Sequence, residues 1–144
     1  MTKQKIIFVC IHNSARSVMA EAFVNQLCGD RYEAQSAGIE PGKLNPIVAE
    51  AMAEIGIDVS GHQPRSVADV ISSGQQFEYA ITVCDETSAE RCPIFPGNTQ
   101  RLHWGFPDPS ALQGMREEKL AWTREIRDHI KAHIEREFCA VHCA

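Results

Sequence analysis

A chain of 144 residues, 44% hydrophobic and 23% charged, is long enough and apolar enough to form one globular domain with a real core. Its net charge of −5 at pH 7 argues against a nucleic-acid partner, and no apolar run approaches the roughly 20 residues that span a bilayer as a helix, so no membrane partner is expected. Residues 1–5 lead directly into an apolar segment, so a cytoplasmic protein without a secretory leader is expected.

Residues 5–10 read as a first strand and residues 15–28 as a helix with apolar positions at Val18, Ala22 and Leu27. Residues 32–37 form a short second strand closed by Gly38. Asn45 and Pro46 give a cap and a first-turn proline for a helix that runs through Ile55 and ends at Gly56. A shorter helix covers residues 66–72, and residues 79–83 form the third strand. Gln100–His103 is a weak fourth strand. From Glu117 to about Phe138 runs one long amphipathic helix, with Leu120, Ile126, Ile130 and Ile134 on its core side. Strands alternating with helices predict an α/β single domain over 1–144: a four-stranded parallel sheet with helices on both faces, and a tail without fixed structure from about 139.

The strongest chemistry lies between the first strand and the first helix, in Cys10-Ile11-His12-Asn13-Ser14-Ala15-Arg16-Ser17. Backbone N–H groups of such a loop, here from Ile11 to Arg16, converge on one point and suit a tetrahedral oxyanion. Arg16 adds a planar fork for two of its oxygens. The same positive field favours the Cys10 thiolate, the nucleophilic form, and Ser17 is placed to donate its hydroxyl hydrogen to the sulfur. The plain alternative is a buried cysteine closing a core strand. The hydrogen-bonding residues Asn13, Ser14 and Ser17 favour the functional reading.

Six cysteines in a chain of this kind point to redox or metal chemistry rather than a disulfide framework. Ligands of parallel sheets sit outside the carboxyl ends of the strands. Cys10 ends the first strand and Cys84 the third, so both thiols belong at one edge. A second thiol is of little use to a simple hydrolase; it is what a two-electron reduction requires. Between Cys84 and Cys92, Asp85 and Glu86 begin a short helix or an ordered loop. A helix would hold the two cysteines about 12 Å apart along its axis. A disulfide needs Cα atoms within about 7 Å, so pairing them requires the segment to unwind or loop out. Two unrelated cysteines are the plain alternative.

With these segments in view, the chain resembles the thioredoxin-coupled arsenate reductases, built on the low-molecular-weight tyrosine phosphatase fold. The resemblance runs nearly end to end. It is carried by Cys10 through Ser17, Met19-Ala20-Glu21, Ser36-Ala37-Gly38, Asn45-Pro46, the segment 84–92, and His103-Trp104-Gly105-Phe106-Pro107-Asp108-Pro109. The oxyanion loop and the Asp108-Pro109 pair are shared with the phosphatases. The cysteine pair and the His-Trp segment look like the reductases.

The resemblance implies that Cys10 attacks arsenate held by the loop and Arg16, and that Asp108 protonates the leaving oxygen. Cys84 then attacks the adduct, arsenite leaves, and Cys92 resolves the Cys10–Cys84 disulfide into a Cys84–Cys92 disulfide for thioredoxin to reduce. It implies a monomer without metal or organic cofactor, with phosphate and sulfate as competing oxyanions. Three departures stand out. Cys84 and Cys92 are separated by one residue more than in the best-known pattern. His12 stands where many relatives have glycine. Arg65 stands where some reductases carry an acidic residue, so no cation site is carried over.

The remaining candidates are read as structural. Cys139, His142 and Cys143, with His129 and His133 upstream, match no closed zinc pattern. Cys28 is read as packing, His62 as a structural loop residue, and Trp104 and Phe106 as core or site wall. Two other functions stay open: a phosphatase acting through a Cys10 phosphoenzyme, and a non-catalytic redox sensor using Cys84 and Cys92. Thiolate reactivity at Cys10 separates the sensor from the enzymes.

Overall fold

A computed structural model describes residues 3–13, 15–84, 95, 97–107, 109 and 114–139. The first strand, β1 (Gln4–Cys10), is apolar on both sides because both sides are covered. Ile6, Phe8 and Cys10 face a core built with α1 (Arg16–Cys28), α2 (Pro46–Ala53) and α4 (Arg116–Ile134). Ile7 and Val9 face the opposite core, where α3 (Val67–Ser72) contributes Val67 and Val70. The strands β2 (Tyr32–Gly38) and β3 (Tyr79–Thr82) flank β1, and β4 (Gln100–His103) pairs with β3. The order is β2-β1-β3-β4, and every pair is parallel. This is the four-stranded parallel sheet with helices on both faces that the alternation of strand and helix predicts.

The register sets the site. Cys10 lies opposite Gly38, Val9 lies opposite Thr82, and the Val83 N–H donates to the Val9 carbonyl at 2.9 Å. Both Cys10 and Cys84 therefore leave the same carboxyl edge, Cys84 two residues beyond the end of β3.

The caps follow local chemistry. Asn45 Oδ1 accepts from the N–H groups of Ile47 (2.9 Å) and Val48 (3.4 Å), and Ser66 Oγ accepts from Asp69 N–H at 3.0 Å. The second helix stops at Ala53 rather than Ile55, and the chain turns through Gly56 at φ 82°. The long C-terminal helix is regular only to Ile134; Glu135–Cys139 forms a π-helical turn instead of a continuation to Phe138. In that wider turn Phe138 packs against the rings of Tyr32, Tyr79 and Trp104, and its carbonyl accepts from Arg31. Among the described residues, no helix is long and apolar enough to cross a membrane.

Candidate active site at the carboxyl edge

Three carbonyls of the loop after β1 point one way. Those of Cys10, Ile11 and His12 accept from the N–H groups of Ile39 (3.0 Å), Glu40 (2.7 Å) and Gly42 (2.9 Å). In a trans peptide the C=O and N–H are opposed, so the N–H groups of Ile11, His12 and Asn13 point away from that segment. They face the opposite side of the loop, which is the arrangement an anion cradle requires. Gly38 permits this close approach: a Cβ there would lie 2.8 Å from Asn13 N and from the Ile11 carbonyl oxygen. Asn13 is the one described non-glycine residue at positive φ (53°), a conformation asparagine tolerates.

The Asn13 side chain is fully buried and every polar group on it has a partner. Its Oδ1 accepts from Arg65 N–H (3.1 Å) and faces His62 Nε2 at 3.0 Å, while its Nδ2 donates to Ser17 Oγ at 3.0 Å. An amide oxygen only accepts, so His62 Nε2 carries a hydrogen. Burial pushes the His62 pKa below the usual imidazole value, helped by Arg65 and opposed by the Asn13 bond. Because Ser17 Oγ accepts from Asn13, its hydroxyl hydrogen is available for Cys10 Sγ, 2.9 Å away.

Cys10 and Cys84 are both buried thiols, neither in a disulfide. Arg16 is also buried, and its Nη1 donates to the Phe106 carbonyl at 3.1 Å, so the segment after β4 anchors the arginine. Ile11 is half-buried. His12 is exposed, and its Nδ1 donates to the Glu40 carbonyl at 2.8 Å, pinning the loop to the 39–42 segment. Behind the loop, Glu21 accepts from Ser36 Oγ at 2.5 Å. Burial raises the Glu21 pKa, against the lowering effects of Ser36 and Arg65. Arg65 also donates through Nε to the Ser36 carbonyl at 3.1 Å.

Of the residues singled out from sequence, Cys10, Ile11, His12, Asn13, Ala15, Arg16 and Ser17 lie together at this edge, with Cys84 nearby along the sheet. Ser14, Cys92 and Asp108 lie outside the described residues, as do segment 85–94 and the tail from 140 with His142 and Cys143. His62 has a structural role, and the residue it holds is Asn13 of the loop. One reading needs correction. Cys28 is buried as expected of packing, but it is disulfide-bonded. Sequence reasoning missed the roles of Phe106 and Arg65. A backbone carbonyl carries no residue signature, and the Arg16–Phe106 bond spans 90 positions.

The family model for low molecular weight phosphotyrosine protein phosphatase matches residues 5–141. The arsenate reductase of Bacillus subtilis (strain 168) is 41% identical over 132 residues, covering 90% of this chain and 91% of that protein. The crystal structure of arsenate reductase from Archaeoglobus fulgidus DSM 4304 aligns with a TM-score of 0.65 at 34% identity, covering 90% of this chain and 98% of that one. A thioredoxin-dependent arsenate reductase of Corynebacterium glutamicum aligns with a TM-score of 0.66 at 26% identity, over 96% of this chain and 64% of the other. With its loop, its sheet and these matches taken together, the chain belongs to the low molecular weight phosphotyrosine protein phosphatase family and groups there with the arsenate reductases.

Proposed function

We propose that this protein reduces arsenate to arsenite, with thioredoxin as the electron donor. The observation that carries the reading is a second buried thiol, Cys84, leaving the same sheet edge as the Cys10–Ser17 pair, in a chain 41% identical to an arsenate reductase. Arsenate binds in the loop from Ile11 to Arg16, with the Arg16 fork on its oxygens. The Cys10 thiolate, held by Ser17, attacks arsenic; an S–As bond forms and an oxygen leaves, protonated by Asp108. Cys84 then attacks Cys10 Sγ. The S–S bond forms, the S–As electron pair passes to arsenic, and As(V) departs as arsenite.

Cys92 next attacks Cys84, which frees Cys10 and leaves a Cys84–Cys92 disulfide. Thioredoxin's dithiol supplies the two electrons that restore it. The parts given to Cys92 and Asp108 rest on the resemblance of their segments to the reductases. The thioredoxin reading draws support from the relative in Corynebacterium glutamicum.

A second reading is favoured by the family model, which describes a phosphatase: hydrolysis of a phosphotyrosine ester through a Cys10 phosphoenzyme. The deciding experiment follows NADPH consumption with thioredoxin and its reductase on adding arsenate, beside aryl phosphate hydrolysis, in wild type and Cys84→Ser. Arsenate turnover that disappears in Cys84→Ser supports the reductase. Aryl phosphate hydrolysis untouched by Cys84→Ser, without arsenate turnover, makes the protein a phosphatase.

A further inference from the structure

The segment that anchors Arg16 is held from two sides. Toward the sheet, Trp104 N–H donates to the Thr82 carbonyl (2.8 Å) and Phe106 N–H to the Val83 carbonyl (3.4 Å). Toward α4, the Phe106 ring meets His129 at 5.5 Å and His133 at 5.6 Å, both nearly perpendicular, and Trp104 lies 4.3 Å from His133. Phe106 is 6% exposed, so its ring is wedged against those imidazoles while its carbonyl holds Arg16.

His133 faces the guanidinium of Arg136. Its Nδ1 lies 2.9 Å from Arg136 Nη2. A guanidinium only donates, so Nδ1 accepts and the ring is neutral, with its hydrogen on Nε2. Protonation would put a hydrogen on Nδ1, leaving two donors and two cations face to face. The contact between Arg136 and the ring that packs on Trp104 and Phe106 would then break. The 104–107 segment brings the rings of Trp104 and Phe106 to His133. Among the described residues, the charged and titratable groups that act on it lie on its own helical segment: Arg136 and His129 oppose a cation there, and Glu137 favours one. Burial is the largest effect and, with Arg136, pushes the imidazole pKa down. The π-helical turn that begins two residues later brings Arg136 onto this ring, and such turns are frequent at functional sites.

We propose that His133 is a positioning residue for the oxyanion fork: neutral, it seats Phe106 and thereby Arg16, and its protonation loosens that seat and weakens oxyanion binding. This rests on the reading of Arg16 as the fork. The probe is sulfate, whose charge is constant from about pH 5 to about pH 8, so that only the protein titrates. His133 is titrated by NMR in wild-type protein with and without saturating sulfate. Because coupling is reciprocal, sulfate lowers the His133 midpoint, and the sulfate dissociation constant rises about fourfold between about pH 7.5 and about pH 5.5.

His133→Gln keeps an acceptor for Arg136 but never ionises, and in it the same ratio falls below the wild-type value, the remainder coming from other titrating supports such as His62. A His133 midpoint that sulfate leaves unmoved, or a wild-type ratio in His133→Gln, overturns the coupling alone. Sulfate binding that survives Arg16→Ala overturns the fork reading instead, and the coupling with it.

Discussion

At the scale of single residues, the site is a chain of directed hydrogen bonds ending on sulfur. Asn13 takes its direction from His62 and Arg65 and passes it to Ser17, whose hydroxyl hydrogen is then available for Cys10. Removing the last donor in Ser17→Ala should slow alkylation of Cys10 at pH 7 by about tenfold or more, as expected for losing a hydrogen bond to a charged group. Unchanged alkylation would mean the hydroxyl does not stabilise the thiolate. His62 adds a pH dependence. Its native pKa lies below the unfolded imidazole value, so its contribution to stability is full above about pH 6.5 and is lost as pH falls through the native value. Thermal unfolding of His62→Gln, which keeps a donor for Asn13, should therefore decline less steeply below about pH 6.5 than wild type.

Glu21 has the opposite sign. Its native pKa is raised by burial, so it favours the folded state below its unfolded value of 4.5 and that contribution is lost as pH rises through the native value. Glu21→Gln should raise the melting temperature at pH 7 relative to wild type, and the gain should shrink toward about pH 4. A gain that grows on acidification would contradict this account of the buried carboxylate.

At the scale of elements, the end of β2 decides whether the loop after β1 can form. Gly38 pairs with Cys10 and bridges to Ser66, and its missing Cβ leaves room for the loop backbone. In Gly38→Ala the new methyl would meet backbone atoms that cannot swing aside, so a loss of about 1–3 kcal/mol is expected in denaturant unfolding. Oxyanion affinity should fall with it. These elements were legible because their signals are local. The run Ile6 to Val9 marks a strand buried on both faces, and Asn45-Pro46 and Ser66 mark helix starts through their own side chains. The π-helical turn had no such signal: Glu135 to Phe138 are compatible with a regular helix, and the departure accompanies Phe138's packing against Tyr32, Tyr79 and Trp104.

For the molecule as a whole, parallel topology does the chemical work of bringing Cys10 and Cys84 to one edge across 74 positions. That juxtaposition was legible, because strand order in such sheets places every carboxyl end together. The supports were not. His62 reaches Asn13 across 49 positions and Arg65 across 52, and nothing in either residue's own neighbourhood announces the partner. The central claim is that Cys84 completes a two-electron transfer begun at Cys10. The direct measurement is a single turnover with arsenate and no added reductant, quantifying arsenite and mapping disulfides in wild type and Cys84→Ser. The account predicts about one arsenite per wild-type chain, with Cys84 in a new disulfide, and none from Cys84→Ser. Arsenite released by Cys84→Ser at the wild-type rate would contradict it.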